Sequence, residues 1–108
     1  MKTFRIYKTH FESAHYIKDH PKCGVKHCHS YQLLVKVKGD LNEFIDFHDI
    51  SNEVESLLNE KYDHKDLGNA TAEQIIQNIH KDLTRIFNVE IDIELFETAK
   101  FGVGIVSN

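Results

Sequence analysis

Tryptophan is absent from the 108 residues, proline and methionine occur once each, and there are only two cysteines. Cys23 and Cys28 lie too close together to staple a scaffold of loops, so the fold must rest on an apolar core. Glycine is scattered, with five in all, and no linker or low-complexity tract interrupts the chain. No apolar run approaches the length of a membrane span. A surplus of positive charge is also missing. Thirteen Lys+Arg against 17 Asp+Glu leave a net charge of -4, which excludes the basic field that non-specific nucleic-acid binding needs. The opening Met1–Lys8 is charged and lacks the apolar run of a secretory signal, so a reducing cytoplasm is the expected location.

What the chain has in excess is histidine, eight in so short a length. Histidine titrates near neutral pH and binds metals, so its accumulation points to use. The remainder is ordinary: 41% hydrophobic and 28% charged residues describe one globular domain over residues 1–108.

Hydrophobic periodicity predicts the order ββααββ. Residues 3–15 read as a strand with a phase change. Phe4 and Ile6 fall on even positions and Phe11, Ser13 and His15 on odd ones, which predicts a bulge near Lys8–His10. Residues 16–26 form a loop. In residues 27–38, His27, His29, Tyr31, Leu33, Val35 and Val37 share one face of a second strand. Asp46 is the expected cap of a helix with Phe47, Ile50, Val54, Leu57 and Leu58 as its apolar stripe. Thr71-Ala72-Glu73-Gln74 has the form of a capping box, and Ile75, Ile76, Ile79, Leu83 and Ile86 would be the stripe of the second helix. Val89, Ile91, Ile93 and Leu95 alternate as a third strand, and residues 101–106 supply a fourth. The expected fold class is α+β, a four-stranded antiparallel sheet with two helices on one face. Its two open edges invite closure by further copies of the chain.

Chemistry gathers at the junction of the first two strands. His27 and His29, two apart on a strand, project from one face with Cα atoms roughly 6.6 Å apart. His15, from the end of the neighbouring strand, is the third candidate. Three imidazoles there are either separate, hydrogen-bonded histidines or a three-histidine metal site; zinc with three protein ligands and an open fourth position is the catalytic arrangement. Cys28, between the two histidines, must point to the other face and reads as a packed small hydrophobe. Cys23 lies in a polar loop between Lys22 and Lys26, whose charges favour a thiolate. Asp63-His64 after the first helix is by itself a solvated loop, although an adjacent acid and imidazole can form part of a proton relay. Glu97 continues the inward phase of Ile91, Ile93 and Leu95. Either the strand has already reached solvent there, or the carboxylate is kept for a ligand.

Taken together, these motifs resemble one family. Phe11-Glu12-Ser13-Ala14-His15, Cys23 through Tyr31 with its Cys-x3-His-x-His spacing, Asp46-Phe47, Asp63-His64, Thr71-Ala72-Glu73 and Glu97-Thr98 are similar to the 6-pyruvoyl-tetrahydropterin synthase family over nearly the whole chain. The spacing is closest to its 6-carboxy-tetrahydropterin synthase branch, which serves queuosine and other 7-deazaguanine biosynthesis. The resemblance implies zinc on His15, His27 and His29, Cys23 as acid/base with Asp63 and His64 as relay partners, and Glu97 as the anchor of a pterin ring. The implied reaction converts 7,8-dihydroneopterin triphosphate to 6-carboxy-5,6,7,8-tetrahydropterin with release of acetaldehyde and triphosphate, with Lys22 and Lys26 as candidate triphosphate contacts. The implied architecture is the tunnelling fold, in which sheets join into a barrel and two trimers stack as a homohexamer. The implied partner is a small pterin, with neither nucleic acid nor membrane. Two departures stand out: Cys28 replaces the usual glycine, and Leu67-Gly68 stands where leucine-asparagine is usual. A pyruvoyl product, another pterin side-chain cleavage, or a zinc-binding oligomeric module without turnover are the alternatives.

Overall fold

The computed structural model describes residues 1–107. Two long strands, β1 (Lys2–Tyr16) and β2 (His27–Asp40), pair antiparallel without interruption from Lys2 opposite Asp40 to His15 opposite His27. At about 3.3 Å per residue such strands account for the 50 Å long axis of the molecule. Helix α1 (Phe47–Lys61) follows, then a short strand β3 (Lys65–Asn69), helix α2 (Ala72–Phe87), β4 (Ile91–Phe96) and β5 (Gly102–Ile105). The sheet order is β3-β1-β2-β4-β5.

The expected four-stranded antiparallel sheet is therefore a five-stranded mixed one. β3 runs parallel to β1, with Ser13 opposite Lys65 and Ala14 opposite Asp66, and the register slips before Tyr16 meets Asn69. Its sequence, Lys-Asp-Leu-Gly-Asn, carries no apolar alternation, because backbone pairing rather than a buried face holds it. The strand is entered through His64, whose φ of 57° lies in the left-handed region, and Gly68 at φ 72° relieves a second bend.

The bulge expected near Lys8–His10 is also absent. Odd positions of β1 face inward throughout, and Phe4 and Ile6 lie on the opposite face, 50% and 55% exposed. Inward places go instead to Tyr7 and Thr9, whose hydroxyls both donate to Glu55 Oε2 on α1 at 2.6 Å. Satisfied polar groups took the positions that hydropathy would assign to Phe4 and Ile6.

The helices are formed for the reasons their sequences suggest. Asp46 Oδ1 accepts from the His48 amide at the start of α1. A reciprocal capping box opens α2, with Gln74 N donating to Thr71 Oγ1 at 3.2 Å and Thr71 N to Gln74 Oε1 at 2.9 Å. Left-handed Asn88 closes it. Ile50, Val54, Leu57 and Leu58 of α1 join Ile75, Ile76, Ile79 and Leu83 of α2 over the sheet's inward face, chiefly Phe11, Tyr31, Leu33, Val35, Ile91, Ile93 and Leu95. Phe47 and Ile86, included in the expected stripes, are 72% and 40% exposed at the helix ends.

No helix among the described residues is long and apolar enough to cross a membrane. The capping box does more than stabilise α2, because it fixes the junction whose preceding residue, Ala70, faces the histidine cluster. Thr71→Ala is expected to cost about 1 kcal/mol, read in thermal unfolding as a Tm lower by roughly 4–8 °C.

Candidate functional site

The site lies at the end of the β1–β2 ladder. Because the register pairs His15 with His27 and Ser13 with His29, all three imidazoles share the inward face. Their ring centroids are 4.5 Å (His15–His27), 5.1 Å (His15–His29) and 4.7 Å (His27–His29) apart, and one nitrogen from each lies within 4.8 Å of the others. His15 is fully buried; His27 and His29 are half-buried.

The hydrogen bonds decide which nitrogens are free. His15 Nδ1 lies 2.7 Å from the Ala70 carbonyl and His27 Nδ1 2.8 Å from the Val25 carbonyl. A carbonyl only accepts, so each Nδ1 is the protonated, donating atom, and in the neutral ring the lone pair lies on Nε2. Ala70 is itself anchored, its amide donating to the Tyr16 carbonyl at 3.1 Å. His15 Nε2 is buried and has no hydrogen-bond partner among the described residues. Burial pushes the His29 imidazole below its ordinary value, with Glu97 pulling the other way. Imidazole nitrogens that converge in this way offer, in the neutral ring, lone pairs that fit a divalent cation.

Glu97 joins this cluster. Its Oε1 stands 3.3 Å from His15 Nε2 and 3.4 Å from His29 Nε2, within ion-pair distance, although the contact to His15 is not aligned as a hydrogen bond. The carboxylate therefore faces the interior side of the strand end and not open solvent.

The other candidates lie elsewhere. Cys23 occupies the loop after β1, partly buried. Its carbonyl accepts from Ile17 N, and its amide donates to His20 Nδ1 at 2.9 Å. His20 Nδ1 also accepts from Lys22 N at 3.2 Å, so this histidine gathers the loop around the thiol. No spacing in the sequence marks His20, which is exposed, and the adjacent Pro21 is the one signal of a constrained turn. Lys26 is paired with Asp66 and does not stand free beside Cys23.

Asp63 and His64 form a pair of their own, with His64 Nδ1 3.0 Å from Asp63 Oδ2. The Glu12 amide donates to Asp63 Oδ1 at 2.9 Å and, with His64, holds that carboxyl below the usual range. His64 is largely exposed and borders an open cleft of about 580 Å³ whose lining includes Glu12, Cys28, His29 and Asp66 but neither Cys23 nor Glu97. Among the described residues no hydrogen bond or ion pair joins Cys23 to Asp63 or His64 within one chain. Cys28 points away from the histidines as expected, but it is exposed and not packed.

Comparison with known proteins gives this geometry a class. The model of the 6-pyruvoyl tetrahydropterin synthase family matches residues 5–104, and the chain belongs to that family. Among curated relatives, the 6-carboxy-5,6,7,8-tetrahydropterin synthase of Haemophilus influenzae is 31% identical over 102 residues, covering 84% of this chain and 72% of its own. The solved 6-pyruvoyl tetrahydropterin synthase of Caenorhabditis elegans superposes with a TM-score of 0.85 at 17% identity over 100% of this chain and 97% of that one. That of Plasmodium falciparum gives 0.81 at 15% identity, covering 98% of both chains. At those identities the structural likeness speaks for the fold alone.

The converging lone pairs predict that cobalt(II), a spectroscopically visible divalent cation, binds one per chain. His27→Ala and His29→Ala are each expected to weaken that binding at least about 100-fold, since a three-ligand site falls to two. Absorbance titration of the three proteins checks this.

Proposed function

We propose that this chain is a zinc-dependent lyase acting on a dihydropterin side chain. The preferred reaction takes 7,8-dihydroneopterin triphosphate and water to 6-carboxy-5,6,7,8-tetrahydropterin, acetaldehyde and triphosphate, in queuosine or related 7-deazaguanine biosynthesis. The observation that carries the reading is the convergent histidine trio, two of whose rings are fixed by backbone carbonyls, supported by the names of the curated relatives.

In this reading His15, His27 and His29 hold zinc. When bound, the ion supplies Lewis-acid polarisation of the substrate's side-chain oxygens. Glu97 accepts two-point hydrogen bonds from the N–H edge of the pterin, a charge-assisted pair that sets the ring's distance from the histidines. Cys23 removes and returns the side-chain proton from its His20-gathered loop. Asp63 orients His64 through the 3.0 Å contact, so that His64 can pass that proton on. Within one chain these two stand apart from Cys23, and the relay requires Asp63 and His64 of one copy to meet Cys23 of another. β3 covers β1 only from Ser13 to Tyr16 and Asp63-His64 engage Glu12, which leaves the edge from Lys2 to Phe11 open, and β5 is open on the far side. Edge pairing between copies would close a barrel, and we propose a homohexamer built as a dimer of trimers in the cytoplasm. Lys22 remains a candidate contact for the triphosphate; Lys26 already has Asp66.

Mass analysis of products after incubating the zinc-loaded protein with 7,8-dihydroneopterin triphosphate tests the reading. 6-Carboxytetrahydropterin with acetaldehyde is expected; a pyruvoyl product would move the chain to the other branch. No product at all would leave a binding module. Cys23→Ala is expected to keep zinc and assembly and to lose roughly 10²-fold or more in turnover. Near-normal turnover would place the proton transfer on another group.

A further inference from the structure

Three tyrosines have buried or half-buried rings on the inward side, and two of them are satisfied. Tyr7 OH donates to Glu55 at 2.6 Å and Tyr62 OH to Asp82 at 3.0 Å. Tyr31 is different. Its side chain is completely buried and its hydroxyl has no hydrogen-bond partner among the described residues. Ser13, 4% exposed, likewise leaves its Oγ unpartnered.

Both lie in the rows that build the histidine site. Phe11 is opposite Tyr31, and Ser13 is opposite His29. Carrying the β2–β4 register one step past Gln32–Phe96 aligns Tyr31 with Glu97. The Tyr31 ring stacks on Phe11 at 5.1 Å and stands edge-on to His29 at 5.5 Å and to His15 at 6.1 Å.

An unpaired buried hydroxyl destabilises a fold, and phenylalanine would make the same stack without that cost. We propose that the Tyr31 hydroxyl, with Ser13 Oγ beside His29, is a ligand-contacting group that donates to an oxygen of the molecule held at the histidine cluster. This deepens the pterin reading by assigning recognition of the oxygenated side chain to Tyr31, leaving the ring to Glu97.

Tyr31→Phe, prepared as the full chain with and without zinc, separates a ligand role from a structural one. Zinc-free Tyr31→Phe is expected to melt at the wild-type temperature or above it, and to bind zinc within about threefold of wild type. 7,8-Dihydroneopterin, which carries side-chain hydroxyls, should bind about tenfold or more weakly to the variant. 7,8-Dihydropterin, which lacks that side chain, should bind both proteins alike. A variant several degrees less stable without zinc would show an intramolecular partner and overturn the proposal. Unchanged affinity for 7,8-dihydroneopterin would do the same. If the wild type binds neither pterin, the pterin reading fails, and acetohydroxamate on the zinc-loaded proteins becomes the probe. Weaker acetohydroxamate binding to Tyr31→Phe then upholds the hydroxyl's role, and equal binding removes it.

Discussion

A one-residue slip between β1 and β2 would turn His27, His29 and Tyr31 to the face opposite His15 and Phe11, and site and core would be lost together. That register is the constraint on which the rest of the molecule depends. It is held by the apolar residues farther along the same face, Leu33, Val35 and Val37, which are buried only in the observed phase. The hydrophobic effect thus positions the histidines indirectly. Burying the aliphatic end of β2 leaves the imidazole end one possible face.

Register alone does not determine a ligand set, because an imidazole can rotate and change tautomer. Those freedoms are removed by two backbone carbonyls from outside the ladder. Val25 is local to the loop before β2, but Ala70 comes from the β3–α2 junction, far along the chain. The parallel strand β3, though short and polar, delivers that carbonyl, with the capping box immediately after it. The second helix and the tautomer of His15 are in this way parts of one local structure.

Stability and site chemistry pull against each other here. His15 Nε2, Ser13 Oγ and Tyr31 OH are all buried without a hydrogen-bond partner among the described residues, and all fall in the few rows where β1 and β2 meet at their site end. Elsewhere on the inward face, polar groups at Tyr7, Thr9 and Tyr62 are fully engaged with acidic residues of the helices. Arg5 Nη1 and Thr84 Oγ1 are the other buried side-chain atoms without a hydrogen-bond partner among the described residues, so three of these five unfavourable terms fall together where a ligand can relieve them.

Strict alternation and helical spacing made β2, β4 and both helices legible in the chain itself, because those elements are selected by one buried face and their caps are local. The Cys-x3-His-x-His spacing, His15 and the inward phase of Glu97 were legible for the same reason. β3 was not, since its pairing is made by backbone groups that leave no hydropathic trace in Lys65–Asn69. Nor was the continuous phase of β1, where Tyr7 and Thr9 are inward only because Glu55 of α1 meets their hydroxyls. By itself, then, the sequence determined the α+β class, the two capped helices and the residues from which a metal site could be made. The tertiary structure alone decided which nitrogen of His15 faces the cluster, that Asp63 and His64 stand apart from Cys23 in one chain, and that the Tyr31 hydroxyl has no hydrogen-bond partner among the described residues. Each of these depends on contacts between residues distant in the chain, and a side chain's hydrogen-bond partner leaves no periodicity to read.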